Sequence, residues 1–280
     1  MTIRIVTDST CDIPLSILKE YQITVIPSYI NFGEKSYLDM VELSRKEFYA
    51  RIAGLDTFPT TSASGVGFFT KHYQQALDLG ADEIISIHIG GGLSNLSNVA
   101  RLAAEEFKKA KVTVLSIGQV ALGGGFLIAA AAKAIAEGKS IKEVKSILQD
   151  KDQRAYTYAA LDTLEFLKHS GRVPHILVSL AGLLSIKPVI VLYQGSIGLA
   201  DRIRTSAKQI DVLIKHALRQ SPLEQVGVVH TNAPEKAKEF AETIKKSLQY
   251  KGDIWIEEAT PILGVHVGPG TLGLALIRAK

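Results

Sequence analysis

The chain has few of the residues that build metal centres and covalent cross-links. Its 280 residues include one cysteine, Cys11, so no internal disulfide can form and a reducing compartment is expected. Seven histidines are scattered without an H-x-x-x-H pair or a cysteine pair, which removes the usual zinc patterns. Charge is thin as well. Thirty-two basic against 28 acidic residues leave a net +4, and no block of five or six like charges concentrates it. A nucleic-acid partner is therefore not expected. The longest apolar run, Val120 to Ala132, is too short and too glycine-broken to span a bilayer, so no integral membrane segment is expected. The N-terminus runs straight into a strand with no secretory pattern, which points to a soluble cytoplasmic protein. Nucleotide signatures are missing too. No G-x-x-x-x-G-K-[ST] occurs, and Gly90, Gly92, Asn95 lacks the third glycine of a dinucleotide turn.

What is present is a globular composition, 46% hydrophobic and 21% charged, at a length that suits two domains. The most organised stretch is IISIHIGGGLSNLSNVA (84–100). It reads as an apolar strand, a triple-glycine turn and a helix starting behind Ser94 and Asn95, residue types that favour helix N-caps. Such a junction gathers backbone N–H groups and the positive end of a helix dipole, which suits an anion; a plain strand–helix turn fits equally well.

Strands are expected at 3–8, 84–89 and 112–116. Helices are expected after Pro14, behind Ser44 and from Gly65, with a hydroxyl-rich loop at 57–65. The segment 120–136 is apolar nearly all round, as a buried helix would be. Charges gather at 149–154, where the boundary is placed. Beyond it the pattern becomes strand, helix, a hairpin over 183–205, and alternating strands and helices to a closing strand at 271–277. The fold class is therefore α/β in two domains. Residues 1–153 form an N-terminal α/β domain with a parallel sheet, and 154–280 a C-terminal α+β domain with a mixed sheet.

Several clusters could carry chemistry. Asp8, at the end of the first strand, could accept a phosphoryl group, but Thr10 and Cys11 stand where a second acid belongs. Bracing of the loop by Asp8 and Asp12 is the better reading. Thr60, Thr61, Ser62 and Ser64 are the densest hydroxyl run, able to donate to a carboxylate without burying a charge, or simply to cap the next helix. In LEFLKHSGRVPH (164–175), helix-ending chemistry explains Lys168, His169 and Gly171. It does not explain Arg172, which lies past the end and is free to meet an anion or a partner. His266 precedes a Gly-Pro-Gly turn. Together these give uncharged donors, one histidine and spare arginines, with no catalytic acid pair, metal set or cofactor motif. That is the profile of an anion-binding site more than an active site.

IVTDSTCDIP, TTSASG, ISIHIGGGLSN, DTLEFLKHSGRV, LLSIKPVI and HVGPGTLG, in this order and spacing, resemble the DegV family over essentially the whole chain. The resemblance implies a bacterial fatty-acid-binding protein, some members of which are the binding subunit of a fatty acid kinase. It implies a long-chain fatty acid between the two domains, its tail in an internal tunnel and its carboxylate offered to a separate ATP-binding kinase subunit. Carried over by motif, Thr61, Ser62, Ser94 and Asn95 would hold the carboxylate, with His266 beside it and Arg202 near the head group. Arg172 would face the kinase subunit. The supporting residues differ from the family's usual ones at Ala63, Ser64 and Gly65, at Asn95 to Ser97, and at Ser116 and Ile117. The alternative is an enzyme acting on a small phosphorylated or carboxylated metabolite through Asp8 or His266.

Overall fold

The computed structural model describes residues 2–54, 57–180 and 186–280. The first half runs β1 (Ile3–Asp8), α1 (Leu15–Glu20), β2 (Thr24–Ile26), β3 (Tyr29–Phe32), β4 (Lys35–Leu38), α2 (Arg45–Ile52) and β5 (Thr60–Ser62). It continues through α3 (Val66–Asp78), β6 (Glu83–Ile89), α4 (Leu96–Glu106), β7 (Lys111–Ile117), α5 (Ala121–Ala136) and α6 (Ile141–Arg154). The second half opens with β8 (Ala155–Ala160), α7 (Glu165–Ser170), α8 (Pro174–Ser179) and the hairpin β9 (Lys187–Tyr193) and β10 (Ser196–Ile203). It closes with α9 (Gln209–Gln220), β11 (Leu223–His230), α10 (Pro234–Ser247), β12 (Ile254–Glu258), α11 (Pro261–Val267) and β13 (Leu272–Arg278).

Two large sheets result. One is parallel, in the order β2-β1-β6-β7, and the other is mixed, in the order β10-β9-β8-β13-β11-β12. In the mixed sheet only the β11–β12 pair is parallel. The expected α/β architecture, parallel sheet first and mixed sheet second, is what the chain forms. A third, small antiparallel sheet, β4-β3-β5, pairs the extended segments that the sequence suggests on either side of the Asn31–Gly33 turn and adds Thr60–Ser62, which reads as loop. The charged run 149–154 ends α6, and β8 begins at the next residue, so no linker separates the halves there. Arg154 ties that junction down through Asp150 and Glu224. Residues 183–185 of the expected hairpin lie outside the described residues.

The apolar character of α5 has a clear structural cause. Its side chains meet β1 on one side and β8, β11 and β13 on the other, so it lies between the two large sheets. Its three glycines allow that closeness. A Cβ on Gly125 would sit 2.2 Å from the carbonyl oxygen of Asp12, and one on Gly123 would sit 2.2 Å from Thr157 Oγ1. Helices α3 and α4 cover the far face of the parallel sheet, and α9 and α10 cover the far face of the mixed one. Five layers follow, with α5 filling only part of the middle one.

Candidate functional site

The unfilled part of the middle layer is a cavity of about 310 Å³, within the range of small-molecule sites. Its floor is the mixed sheet. Ile197 of β10, Ile190 and Leu192 of β9, Ala159 of β8, Gly273 of β13 and Val229 of β11 all line it. The register aligns Leu199, Ile190, Ala159, Gly273 and Val229 in one row across five adjacent strands. Four inter-strand spacings of ~4.8 Å make that floor ~19 Å across. The opposite wall comes from Ile89, Leu93 and Leu96 around the glycine turn and from Val120 and Ala121 at the start of α5. Only that first turn of 120–136 touches the cavity; the remainder is packed core.

Many lining residues carry hydroxyls, yet most of these point their protons into the protein. Thr231 donates to Gly268 O at 2.7 Å, Thr271 to Val267 O at 2.9 Å and Ser170 to Leu167 O at 2.8 Å. Thr157 donates to Gln119 Oε1 and Thr10 to Asp8 Oδ1. A hydroxyl has one proton, so these five have none left for a guest. Ser62 and Ser94 differ. Ser62 Oγ accepts from Asn31 Nδ2 at 3.4 Å, and Ser94 Oγ accepts from the Leu96 N–H at 3.3 Å. Each accepts from nitrogen, which leaves its own proton to donate.

Thr61 and His266 form a third such donor. Thr61 Oγ1 lies 3.2 Å from His266 Nε2, and His266 Nδ1 has no protein partner among the described residues. Burial, with the Arg172 guanidinium nearby, pushes the imidazole pKa down to about 3, so it is neutral at pH 7. A neutral ring and a hydroxyl hold two protons between them. One is used in their mutual bond, so one remains for a ligand whichever tautomer forms. Arg172, exposed at the mouth, also donates to Thr61 Oγ1 at 3.4 Å and to its own turn at Ser170 O.

Thr61, Ser62, Ser94, Asn95, His266 and Arg172 therefore share one cavity. Arg172 thus lines the same cavity as Thr61, Ser62 and Ser94, besides being exposed. Asn95 stands at the N-cap position of α4, but its side chain makes no cap and instead accepts from Asn98. Arg202 is not brought in. It faces Pro188 in the β9–β10 ladder, is exposed and does not line the cavity. His266 sits in the last turn of α11, a helix that its Gly-Pro-Gly neighbour does not announce.

Sequence reasoning also missed a buried relay. Asp8 Oδ2 lies 2.8 Å from His88 Nδ1, His88 Nε2 lies 2.6 Å from Ser86 Oγ, and Ser86 meets Tyr73 OH at 2.9 Å. The order matches a nucleophile triad, but Asp8, Ser86 and His88 are all 0% exposed and none lines the cavity. Asp8 braces its loop, as read, by accepting from both Thr10 N and Thr10 Oγ1. No carboxylate and no cysteine lines the cavity, and no metal-binding cluster occurs among the described residues.

Comparison with known proteins agrees with this architecture. The family model for "Uncharacterised protein, DegV family" matches residues 2–279. The chain belongs to the DegV family. A DegV domain-containing protein of Deinococcus radiodurans is 33% identical over 279 residues, 99% of this chain and 98% of that protein. A DegV-family structure from Thermus thermophilus, described by its fatty acid binding, aligns with a TM-score of 0.87 at 28% identity, covering 99% of both chains. A stearic-acid-binding protein from Eubacterium ventriosum aligns with a TM-score of 0.91 at 26% identity, over 99% of this chain and 98% of that one. DegV structures of this group thus bind fatty acids. Among the described residues, no helix is long and apolar enough to cross a membrane.

Proposed function

We propose that this chain is a non-catalytic carrier that buries the tail of a long-chain fatty acid and presents its carboxylate to a separate kinase subunit. The observation that carries this reading is the division of polar groups in the cavity. Hydroxyls along the floor are committed to the protein, whereas Thr61, Ser62, Ser94 and His266 keep free protons. An apolar floor with a few uncharged donors suits a molecule that is greasy along its length and anionic at its tip.

Dimensions support the same guest. A chain of carbons with ~1.52 Å bonds and ~111° angles advances ~1.25 Å per bond, so a ~19 Å floor matches about sixteen carbons. At ~0.8 kcal/mol per buried CH₂, such a tail contributes ~12 kcal/mol gross, before ordering costs. The head group needs only to be oriented. Uncharged donors and the positive end of α4 would hold an acyl phosphate as well as a carboxylate, so substrate and product could share one cradle. Arg172, at the mouth, is the group placed to meet the partner.

The reading as an enzyme lacks a reactive group. Asp8 is sealed away, and His266 has no acid beside it among the lining residues. The test is to incubate palmitate-loaded protein with ATP and the ATP-binding subunit of a fatty acid kinase. Acyl phosphate formed only when both proteins are present is the expected result. Turnover of a small phosphorylated or carboxylated metabolite by this chain alone would contradict the proposal.

A further inference from the structure

Asn31 lies in none of the stretches that resemble the family and does not line the cavity, yet its side chain touches a residue that does. It sits on β3, the middle strand of the small sheet, directly opposite Ser36 of β4 and Thr60 of β5. Ser62 follows Thr60 by two residues on β5, so the alternation of a strand sets all four side chains on one face. Hydrogen bonds join them in a chain. Ser36 Oγ donates to Asn31 Oδ1 at 2.7 Å, which turns the carboxamide with its oxygen toward β4 and its nitrogen toward β5. Asn31 Nδ2 then donates to Ser62 Oγ at 3.4 Å and to Thr60 Oγ1 at 3.5 Å. Ser36, Thr60 and Ser62 are exposed and Asn31 is half-buried, so this chain adds little to the stability of the fold.

Taking the cavity as the fatty-acid site, we infer that Asn31 is a positioning residue for the head group, held in its orientation by Ser36. It occupies the Ser62 oxygen and so reserves the Ser62 proton for the carboxylate. A hydroxyl has one proton, which turns among three staggered positions unless a neighbour fixes it. A neighbouring acceptor would take that proton and leave oxygen lone pairs to face the anion. An amide nitrogen does the reverse, because it only donates, and Ser62 can only accept from it. The two ends of a carboxamide have nearly the same shape, so the hydrogen bond from Ser36 decides which end meets Ser62. The arrangement turns the positive end of the amide dipole toward β5 and brings no formal charge.

The experiment is a double-mutant cycle on palmitate affinity, read by equilibrium displacement, with the native chain, Asn31→Ala, Ser62→Ala and the two combined. Asn31→Ala should bind palmitate about five-fold more weakly, the effect of one hydrogen bond, and Ser62→Ala about ten-fold or more. The combined variant should bind no more weakly than Ser62→Ala, since Asn31 acts through Ser62. A role confined to bracing the sheet would instead lower the melting temperature and carry its loss unchanged into the Ser62→Ala background. Asn31→Asp keeps the shape but replaces the donor with an acceptor that takes the Ser62 proton. It should bind more weakly than Asn31→Ala while melting as the native chain does. Native affinity in Asn31→Ala, or losses that multiply in the combined variant, overturns the inference and leaves the ligand reading intact. Native affinity in Ser62→Ala removes Ser62 from the head-group site, and the inference with it. A native chain that binds no palmitate overturns both the inference and the proposed function.

Discussion

At the scale of single residues, the account depends on where protons point. Ser94 keeps a free hydroxyl proton because its oxygen already accepts from Leu96 N–H. Ser94→Ala removes a donor to a charged group, worth about 1.5–3 kcal/mol, so palmitate should dissociate ten-fold or more readily in an equilibrium displacement titration. Arg172→Ala should weaken retention much less, since that side chain is exposed, and should mainly reduce phosphorylation by the partner subunit. Equal losses of retention in the two variants would contradict these roles.

Two buried carboxylates make a separate expectation about pH. Burial, only partly offset by Arg45 and the Thr260 N–H, raises Asp12 from 3.8 to about 7. Burial likewise raises Asp39 to about 7, against the Ser9 hydroxyl and the Ile262 N–H. The folded chain then binds more protons than the unfolded one between these limits. The stability due to this pair is therefore full below about pH 4 and is lost as pH rises through about 7. Buried His266, neutral in the folded chain, acts in the opposite direction, so the expectation is a difference. From pH 5 to pH 8 the melting temperature of Asp39→Asn should fall less, or rise more, than that of the native chain. An unchanged slope in that variant would remove Asp39 as the source.

At the scale of elements, glycine in α5 reverses an ordinary rule. Gly→Ala inside a helix usually stabilises by ~0.5–1 kcal/mol. At Gly125 the new Cβ would lie 2.2 Å from Asp12 O, so Gly125→Ala should instead destabilise by about 1–3 kcal/mol in urea unfolding. The sequence showed α5 as buried because its apolar residues run all round, and Ser44 marked α2 through its capping box with Glu47. It did not show α11. Pro261 opens that helix and Gly268 closes it, leaving seven residues that read as a glycine-proline loop. Nor did it show β5, whose three hydroxyl residues become a strand only by pairing with Tyr29–Asn31. Since α11 carries His266 and β5 carries Thr61 and Ser62, three of the four donor residues could be named by motif but not placed. The Asp8–His88–Ser86 relay was equally hidden. Ser86 and His88 alternate on one face of an apolar strand, and Asp8 reaches them only through the parallel pairing of β1 with β6. Arg202 failed for the opposite reason: its place on the hairpin was right, but the ladder sets it opposite Pro188, outside the lining.

At the scale of the whole molecule, two sheets clasp a middle layer that α5 fills at one side and a guest would fill at the other. Shortening the guest should therefore reduce binding in proportion to the floor left uncovered. Octanoate lacks eight of the methylenes of palmitate, a deficit of up to ~6 kcal/mol, and should bind at least ~100-fold more weakly by calorimetry. Equal affinity for both would mean that the tail does not lie in the cavity. The most direct measurement is to denature the purified protein in organic solvent and identify the released acids by mass spectrometry. The account expects near-stoichiometric acids of about sixteen carbons, matching a ~19 Å floor. Protein that releases no acyl species, and whose melting temperature does not rise when palmitate is added, would contradict it.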